Sequence, residues 1–572
     1  METNKATEQE QSSSLERYIP ILTWLPRYQR EWLRADLITG VIVWGSTVPI
    51  AMGYAQMAGL PVQTGLYAAL VALLAYAVFG SSSVLKVVPS SSMAIMSAAI
   101  VAPLALANYS YYVTLSAALA LVVGVLLIAA GLARLGFMAD FLAKPVVAGY
   151  LMGLALIVII SRLPRLFGLE PGTGTALEQL WQLITSLGDT NPWTLVVGTA
   201  SLLLLLLFRR YLPRLPGTII VMALGTLAVW ALDLVQKGVE IVGPIPTGLP
   251  ALQIPLMRPG DLLYLLLGAT AMVFVALGES LGGARTFAAE RKQHIDTDQE
   301  LLALGAANLS AGLFQGFAVG ANPSATSAAN NSRARTQLAS VVTALMLFFT
   351  LVTRPGFLGF LPLAVLAAAV IMSVSHLLNH HELRRFYRSR RIDFVLAIVA
   401  LLGVLFMGIL PGLMVAVFLS LLIVLYQTSR PHIAVLGKLP HHNAYGDIEQ
   451  NPDAEQIPGL LIVRPDVPLY FANASEAHRQ ITSLISNNEQ TIDVLIVDLG
   501  ASADLDIACT DMLMNLVEEL RDLEIRFLIA DAKNTTRDRL EHTGLLELVG
   551  EGNIYLRVPE AVADLTRKNN SS

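Results

Sequence analysis

Between residues 37 and 428 the chain is a succession of apolar runs, and no other feature limits its fold so strongly. They lie near 37–56, 60–79, 90–106, 111–132 and 138–160, then near 190–208, 217–236, 262–284 and 299–316. A further set follows near 323–330, 335–353, 358–378, 392–409 and 411–428. A helix needs roughly 20 apolar residues to cross hydrocarbon about 30 Å thick, and most of these runs are near that length. Lipid offers the backbone no hydrogen bonds, so such runs must be helices, with irregular backbone only where protein or a cavity surrounds it. A polytopic α-helical membrane protein of about 14 spans is expected. Only 14% of the 572 residues are charged, well below the roughly one quarter of a soluble chain.

The connections alternate in charge. Every second one is basic: Lys86, Arg134, Arg209 with Arg210 and Arg214, Arg285 with Arg291 and Lys292, Arg333 with Arg335, the arginines from Arg384 to Arg391, and Arg430. The others hold only Arg162, Arg165, Lys237, Arg258 and Arg354. Basic connections stay in the cytoplasm, so both ends of the chain are expected there and the number of spans is even. Residues Met1 to Ser14 lack the basic-then-apolar pattern of a cleaved secretory signal, and insertion is expected to use the first membrane helix. Trp24 to Arg34 is an aromatic and basic stretch suited to a membrane surface.

Two runs are short, and they resemble each other. Val88-Pro-Ser-Ser-Ser-Met-Ala-Ile95 and Ala321-Asn-Pro-Ser-Ala-Thr-Ser-Ala-Ala-Asn330 each start with proline and continue with small hydroxyl residues. Proline suits a first helical turn because it lacks the N–H that would be orphaned there. Aligning Pro89 with Pro323 sets Ser90, Ser91 and Ser92 over Ser324, Ala325 and Thr326. Each stretch reads as a helix N-terminus, where hydroxyls and free N–H groups gather at the positive end of the dipole and favour an anion. Paired interrupted segments in a membrane chain point to a transporter's central site. They also fit plain small-residue packing between helices. Pairing the third run with the tenth gives a shift of seven; an odd shift reverses direction, so the halves form a 7+7 inverted repeat.

Glu279 is an ionisable group inside an uncharged span, Met272 to Gly283. Charge at membrane depth is costly and marks function. Glu279 then couples transport by holding a proton or a cation; the plainer reading has it reaching toward water near Arg285. Gly278, Gly282 and Gly283 leave room around it, as Gly40, Gly45, Gly53 and Pro49 do in the first span. Asp140 and Lys144 flank a helix entrance and read as a solvated interface. No Gly-Lys-Ser/Thr phosphate loop, nucleophile elbow or metal-ligand spacing occurs, so ATP-driven pumping and enzyme chemistry lack their signatures. Cys509 is the one cysteine, which excludes an intramolecular disulfide.

Beyond Gln456 the pattern changes. Leu460 to Val463, Val467 to Phe471, Asp493 to Asp498 and Ile525 to Ile529 read as strands, with helices near 474–486, 508–522 and 535–547 between them. This predicts a small cytoplasmic α/β domain. From Pro431 onward 11 Lys and Arg face 23 Asp and Glu, against 27 and 20 before it, so an acidic part follows a basic one. Gly437 to Gln456, with His441 and His442, reads as a solvated linker.

Several motifs resemble the sulfate permease family, the SulP/SLC26 anion transporters. Val48-Pro-Ile-Ala-Met-Gly-Tyr-Ala55, Ala58-Gly-Leu-Pro61 and Gly65-Leu-Tyr67 are similar to its first two spans. Leu277-Gly-Glu-Ser280, Arg285-Thr-Phe-Ala288 and Asp298 to Asn308 look like its eighth and ninth, and Ala334 to Ala339 like the entry to its eleventh. Pro458 to Arg464 and Leu469 to Asn473 resemble the STAS domain that follows the membrane part. The resemblance implies a uracil-permease-like fold in which a core domain moves against a gate domain. It also implies a homodimer, a small anion between spans three and ten, and no nucleic-acid partner.

The expected division is a cytoplasmic segment 1–36, a transport domain 37–430, a linker 431–457 and a STAS domain 458–566. The expected function is secondary active transport of a small inorganic anion, sulfate by default, through H+ or Na+ symport across a bacterial plasma membrane. Na+-dependent bicarbonate or proton-coupled dicarboxylate transport, anion exchange and channel-like conduction stand as alternatives. The expected substrate set is Ser90, Ser91, Ser92, Ser324 and Thr326, the backbone N–H groups around Met93 and Ala325, and Tyr54 of the first-span motif. No cofactor is expected; Na+ near Glu279 is the one metal considered. Two positions depart from the family pattern. Ile50 stands where many members carry glutamine, and Ala325 or Thr326 where many carry arginine. A bound cation beside Glu279 would then supply the missing positive charge. In the STAS part Ala508 occupies the position of a phosphorylatable serine, leaving Thr510 as the nearest candidate and a structural or dimerising role as the better expectation.

Overall fold

The computed structural model describes residues 18–105, 108–137, 143–172, 174–212, 217–244, 248–293, 295–353, 359–440, 442, 444–488 and 490–569. Asp140, Arg214, Arg354 and His441, and all of the first segment before residue 18, lie outside the described residues. By its contacts the chain forms two compact units, Met1–Ser420 and Leu421–Ser572.

Fourteen described helices match the apolar runs in order. They are α1 (Leu33–Met57), α2 (Val62–Phe79), α3 (Ser91–Ala105), α4 (Tyr109–Leu132), α5 (Lys144–Phe167), α6 (Pro192–Tyr211) and α7 (Gly217–Ala231). The second set is α8 (Pro259–Arg291), α9 (Thr297–Leu313), α10 (Pro323–Asn331), α11 (Leu338–Val352), α12 (Leu363–Val374), α13 (Arg391–Met407) and α14 (Ile409–Thr428). Among the described residues α1, α2, α4, α5, α6 and α8 are each long and apolar enough to cross a membrane. α3 and α10 are short, as their sequences imply, because each starts inside the protein. Side-chain caps fix several helix starts. Asn108 opens α4, Asn191 opens α6 and Asp296 opens α9, each accepting from a first-turn N–H.

Packing partners repeat under a shift of seven. α4 lies on α9, and α2 on α11; α5 lies on α13, and α12 on α6. α1 lies on α11, and α8 on α4; α1 meets α10, and α8 meets α3. Replacing each helix by the one seven places on exchanges the members of every such pair. The membrane part is therefore a 7+7 inverted repeat. Helices α1–α4 and α8–α11 pack into one bundle, and α5, α6, α7, α12 and α13 into another. α12 and α7 touch α1 between the bundles. α14 turns back on α13 where Gly412 meets the backbone of Gly403 and Val404, and a Cβ at Gly412 would collide with Val404 N.

Buried polar side chains pin the first bundle. Glu300, fully buried, accepts from Tyr76 Oη (2.7 Å), Ser81 N (2.9 Å), Ser81 Oγ (2.6 Å) and Ser82 N (3.1 Å). Asp36 accepts from Arg335 N at 2.7 Å and from Thr336 N and Oγ1 at 3.2 and 2.7 Å, tying α1 to the entrance of α11. Lys86, expected in a solvated basic connection, is instead fully buried, with Nζ donating to Ser340 Oγ (2.7 Å) and Gln337 Oε1 (3.2 Å). Burial of an ammonium is tolerable only with such acceptors.

The second unit is an α/β domain on a six-stranded sheet of order β4-β3-β5-β6-β7-β8. The strands are β3 (Ile433–Lys438), β4 (Tyr445–Asp447), β5 (Leu460–Pro465), β6 (Val494–Asp498), β7 (Arg526–Ala530) and β8 (Ile554–Tyr555). β5 to β8 are parallel; β3 is antiparallel to both β4 and β5. Helices α15 (Ala474–Ser486), α16 (Ile507–Asp522), α17 (Asn534–His542), α18 (Leu545–Val549) and α19 (Val558–Asn569) complete it. Residues 431–457, read from sequence as a linker, supply two strands instead. Their alternation is interrupted by Gly437 and prolines, and their register is set by pairing with the distant β5. Val467 to Phe471 is not a strand: Pro468 cannot donate, and the N–H groups of Leu469, Tyr470 and Phe471 go to Ser502 Oγ, Asn473 Oδ1 and Asp506 Oδ2. The expected helix near 535–547 is broken at Gly544, which takes φ +77°.

Candidate functional site

A two-stranded crossing brings the two short helices together. β1 (Val87–Val88) pairs antiparallel with β2 (Gly320–Ala321), Val87 opposite Ala321 and Val88 opposite Gly320. Asn322 N donates to Lys86 O at 2.9 Å, which extends the crossing by one bond. Asn308, the last residue of the ninth-span motif, holds the approach to β2: Val319 N donates to its Oδ1 (2.9 Å), and its Nδ2 donates to Val319 O (3.0 Å). Ser280 Oγ accepts from Ala321 N at 3.0 Å, so α8 grips the same crossing.

The caps correct the proline alignment. Ser90 precedes α3, and its Oγ accepts from Met93 N at 3.4 Å; Asn322 precedes α10, and its Oδ1 accepts from Ala325 N at 3.0 Å. Pro323 is the first residue of its helix, whereas Pro89 lies ahead of the cap. The equivalent positions are thus Ser90 and Asn322, with Ser92 over Ser324. This moves the donors. Met93 N and Ala325 N, expected to face an anion, are used by the caps, because a capping side chain takes the third N–H of its helix. Among the described residues the N–H groups of Ser91, Ser92 and Ser324 are the first-turn donors with neither a backbone nor a side-chain acceptor. Asn322 also donates from Nδ2 to Pro89 O at 3.0 Å, so one side chain ties both helix ends.

Glu279 faces this point. It lies in a π-helical turn of α8, Leu277–Leu281, and is 9% exposed. Such a turn inserts one extra residue into a helix and is frequent at functional sites. Here it aims Glu279 at α3 while Ser280 reaches β2. Ser92 Oγ donates to Glu279 Oε2, and Ser90 Oγ lies 3.0 Å from Ser92 Oγ. The carboxylate thus ends a hydroxyl chain at the α3 N-terminus and does not reach out to water.

Tyr54 joins from α1. Its hydroxyl lies 2.9 Å from Ser373 Oγ on α12, and Ser324 Oγ donates to Ser373 O at 3.2 Å. Ser373 and Tyr150 come from the second bundle and were not legible as site residues. Tyr150, 3% exposed on α5, has a hydroxyl without a hydrogen-bond partner among the described residues. The signal that could have found them is the repeat itself, since α5 and α12 are related by the seven-helix shift. Thr326 takes a different part: its Oγ1 accepts from Lys86 N at 3.1 Å and braces the crossing from behind. Ile50 is a buried core residue of α1.

The sequence matches the sulfate permease family over residues 33–400 and the STAS domain over residues 451–561. The chain belongs to the sulfate permease family. A Mycobacterium tuberculosis protein named a probable sulfate transporter is 36% identical over 559 residues, covering 96% of this chain and 100% of that one. Sulfate transporter 4.1 of Arabidopsis thaliana is 30% identical, covering 96% and 82%. The murine Solute Carrier 26 family member A9 anion transporter, solved in the inward-facing state, superposes with a TM-score of 0.88 at 23% identity, covering 98% and 96%. The transmembrane domain of a cyanobacterial bicarbonate transporter, BicA, does so at 0.60 and 21% identity, covering 69% and 98%. These two likenesses show that this sulfate permease family member shares their fold. In the STAS domain Thr510 is buried, with Oγ1 donating to Ile507 O at 2.9 Å, and Ala508 offers no hydroxyl. Asp506 caps α16 through Cys509 N at 2.9 Å, and burial pushes the Cys509 thiol up to about 12.

Proposed function

We propose that this protein carries a small oxyanion across the membrane as a secondary transporter, with sulfate the default substrate and a proton or Na+ at Glu279 the coupling ion. The observation that carries this is the hydrogen bond from Ser92 to Glu279 at the meeting of two helix N-termini. The free N–H groups of Ser91, Ser92 and Ser324 and the positive ends of α3 and α10 favour an anion there. While Glu279 is a bare carboxylate, it accepts the hydrogen bond of Ser92 and repels that anion. A proton or Na+ on Glu279 removes the repulsion and frees the Ser92 hydroxyl to donate to substrate. Anion and cation then bind as a pair, which is the requirement for symport. The sulfate permease family relatives named as sulfate transporters support the choice of substrate.

A monovalent anion such as bicarbonate is a second reading, favoured by one observation. Span ten offers Ala325 and Thr326 where a fixed cation would balance a dianion, and Thr326 is turned to the crossing. The same proposal places both termini in the cytoplasm of a bacterial plasma membrane, pairs the chain as a homodimer and gives the STAS domain a structural role. The test is labelled-sulfate uptake into proteoliposomes with imposed Na+ or proton gradients, with bicarbonate and dicarboxylates as competitors. Uphill uptake that needs one gradient, and that Glu279→Gln reduces about a hundredfold or more, is expected. Uptake indifferent to the gradients and to Glu279→Gln means exchange or channel-like conduction. Inhibition by bicarbonate without sulfate uptake shifts the substrate.

A further inference from the structure

One buried charge has no part in the site above. Arg162 lies in α5, five residues before its end, and is 8% exposed. Among the described residues it forms no ion pair, and its Nε is sealed from solvent without a hydrogen-bond partner. Its neighbour Arg165 is different, because that guanidinium is bound to Glu240. Arg162 and Arg165 line a cavity of about 420 Å³ together with Gln56, Ser161 and Gln179. One of its two cations is therefore compensated and the other is not.

The cavity is built across the two bundles. Gln56 and Met57 come from α1, Ile95 from α3, and Ile157 to Arg165 from α5. Ile95 stands three residues beyond Ser92, about 4.5 Å of helix rise, and Gln56 stands two beyond Tyr54, about 3 Å. Tyr54 lies within electrostatic range of both Glu279 and Arg162. The cavity thus adjoins the α3–α10 site on the side toward which α3 runs. Its polar lining holds a second unmet group: Gln179 donates through Nε2 to Gly174 O at 2.9 Å, while its Oε1 is buried and unbonded among the described residues. A helix C-terminus favours a cation only modestly, far less than the desolvation of a buried guanidinium disfavours it. An oxyanion supplies the missing acceptor, and planar oxygens suit the guanidinium fork.

We propose that this cavity is a second oxyanion site, with Arg162 as its charged ligand, where an anion rests before passing to or after leaving the α3–α10 site. The proposal rests on the transport reading. It places the positive charge missing from span ten on the opposite bundle, outside the point where Glu279 couples. Sulfate and bicarbonate share the chemistry the cavity takes; bicarbonate also carries an O–H for Gln179, and sulfate meets it through a water.

The full chain is tested in two ways: equilibrium binding of labelled sulfate in detergent, with bicarbonate as competitor, and uptake kinetics of both anions in proteoliposomes. Wild type is expected to bind at two classes of site. Arg162→Gln, which keeps hydrogen bonding and loses charge, should lose one class and raise KM about tenfold with kcat within about threefold. Arg162→Lys should recover most of the KM, and Ser92→Ala should lose the other class. A folded Arg162→Gln protein with wild-type KM and both classes overturns the proposal and leaves the transport reading intact. If Arg162→Gln does not fold, a single class of site in wild type overturns it instead. Wild type that takes up no oxyanion sinks the transport reading, while two binding classes, one lost in Arg162→Gln and kept in Arg162→Lys, still support the cavity.

Discussion

At the scale of single residues, three of the buried charged groups in the membrane part are treated in three different ways. Glu300 is saturated with four donors and serves as a clasp. Glu279 has one donor, Ser92, and is left with capacity for a proton or a cation. Arg162 has none. The number of committed partners separates scaffold from site, since a group whose hydrogen bonds are complete has nothing left to offer a ligand. Hydrogen bonds to a charged group each contribute about 1.5–3 kcal/mol. Glu300→Gln replaces one acceptor oxygen by a donor facing Ser and Tyr donors, so the apparent Tm in detergent should fall, with a cost of roughly 3 kcal/mol. Transport by the folded fraction should keep its KM. A Tm equal to wild type would show that the clasp contributes nothing.

At the scale of elements, the site depends on two helix starts being locked to one another. Asn322 caps α10, bonds Pro89 O and extends the β1–β2 crossing through its own N–H. Asn322→Ala removes the first two bonds and keeps the third. Loss of a cap costs about 0.5–2 kcal/mol, and here the second bond adds to it. The expected result is a lower Tm and a KM raised several-fold, roughly as 1 kcal/mol changes binding about fivefold, with kcat reduced less. Asn322→Asp should restore the cap for Ala325 N while losing the bond to Pro89 O, and so should recover only part of the effect. Equal behaviour of the two variants would mean that the bond between the helices is the one that matters.

At the scale of the whole molecule, the acidic unit begins earlier than its motifs do. β3 pairs along β5 from Ile433 opposite Pro465 to Val435 opposite Val463, and Ile433 and Ala434 are buried. Cutting the chain at Pro458 strips that strand from β5 and leaves an apolar edge open to other chains. A fragment starting at Arg430 should be soluble and monodisperse, whereas one starting at Pro458 should aggregate when expressed. Size-exclusion chromatography distinguishes them. Equal solubility of the two would mean that β3 is dispensable to the sheet.

The sequence by itself determined the class, the spans and their symmetry. Lipid forces each long apolar run to be a helix, so runs near 37–56 or 392–409 could be read directly, and the shift from Pro89 to Pro323 revealed the inverted repeat. It also marked Glu279 and the serines near it, because charge and hydroxyls stand out against an apolar background. Only the tertiary structure decided which of their groups are free. Whether Met93 N or Ser92 N is left open depends on which residue caps the helix: Ser90 takes Met93 N, while Asn322, more than two hundred positions away, caps the other helix and holds Pro89 O. Tyr150 and Ser373 could not be read as partners, since each looks like an ordinary polar interruption until the second bundle is packed against the first, and Arg162, counted with a connection, is buried inside α5. Lys86 counted as a loop cation by its position and is a buried one by its contacts. Periodicity and apolarity are local and survive in one dimension. Burial and hydrogen-bond satisfaction depend on residues far apart in the chain, and those alone separate a brace such as Thr326 from a hydroxyl such as that of Ser92, which meets Glu279.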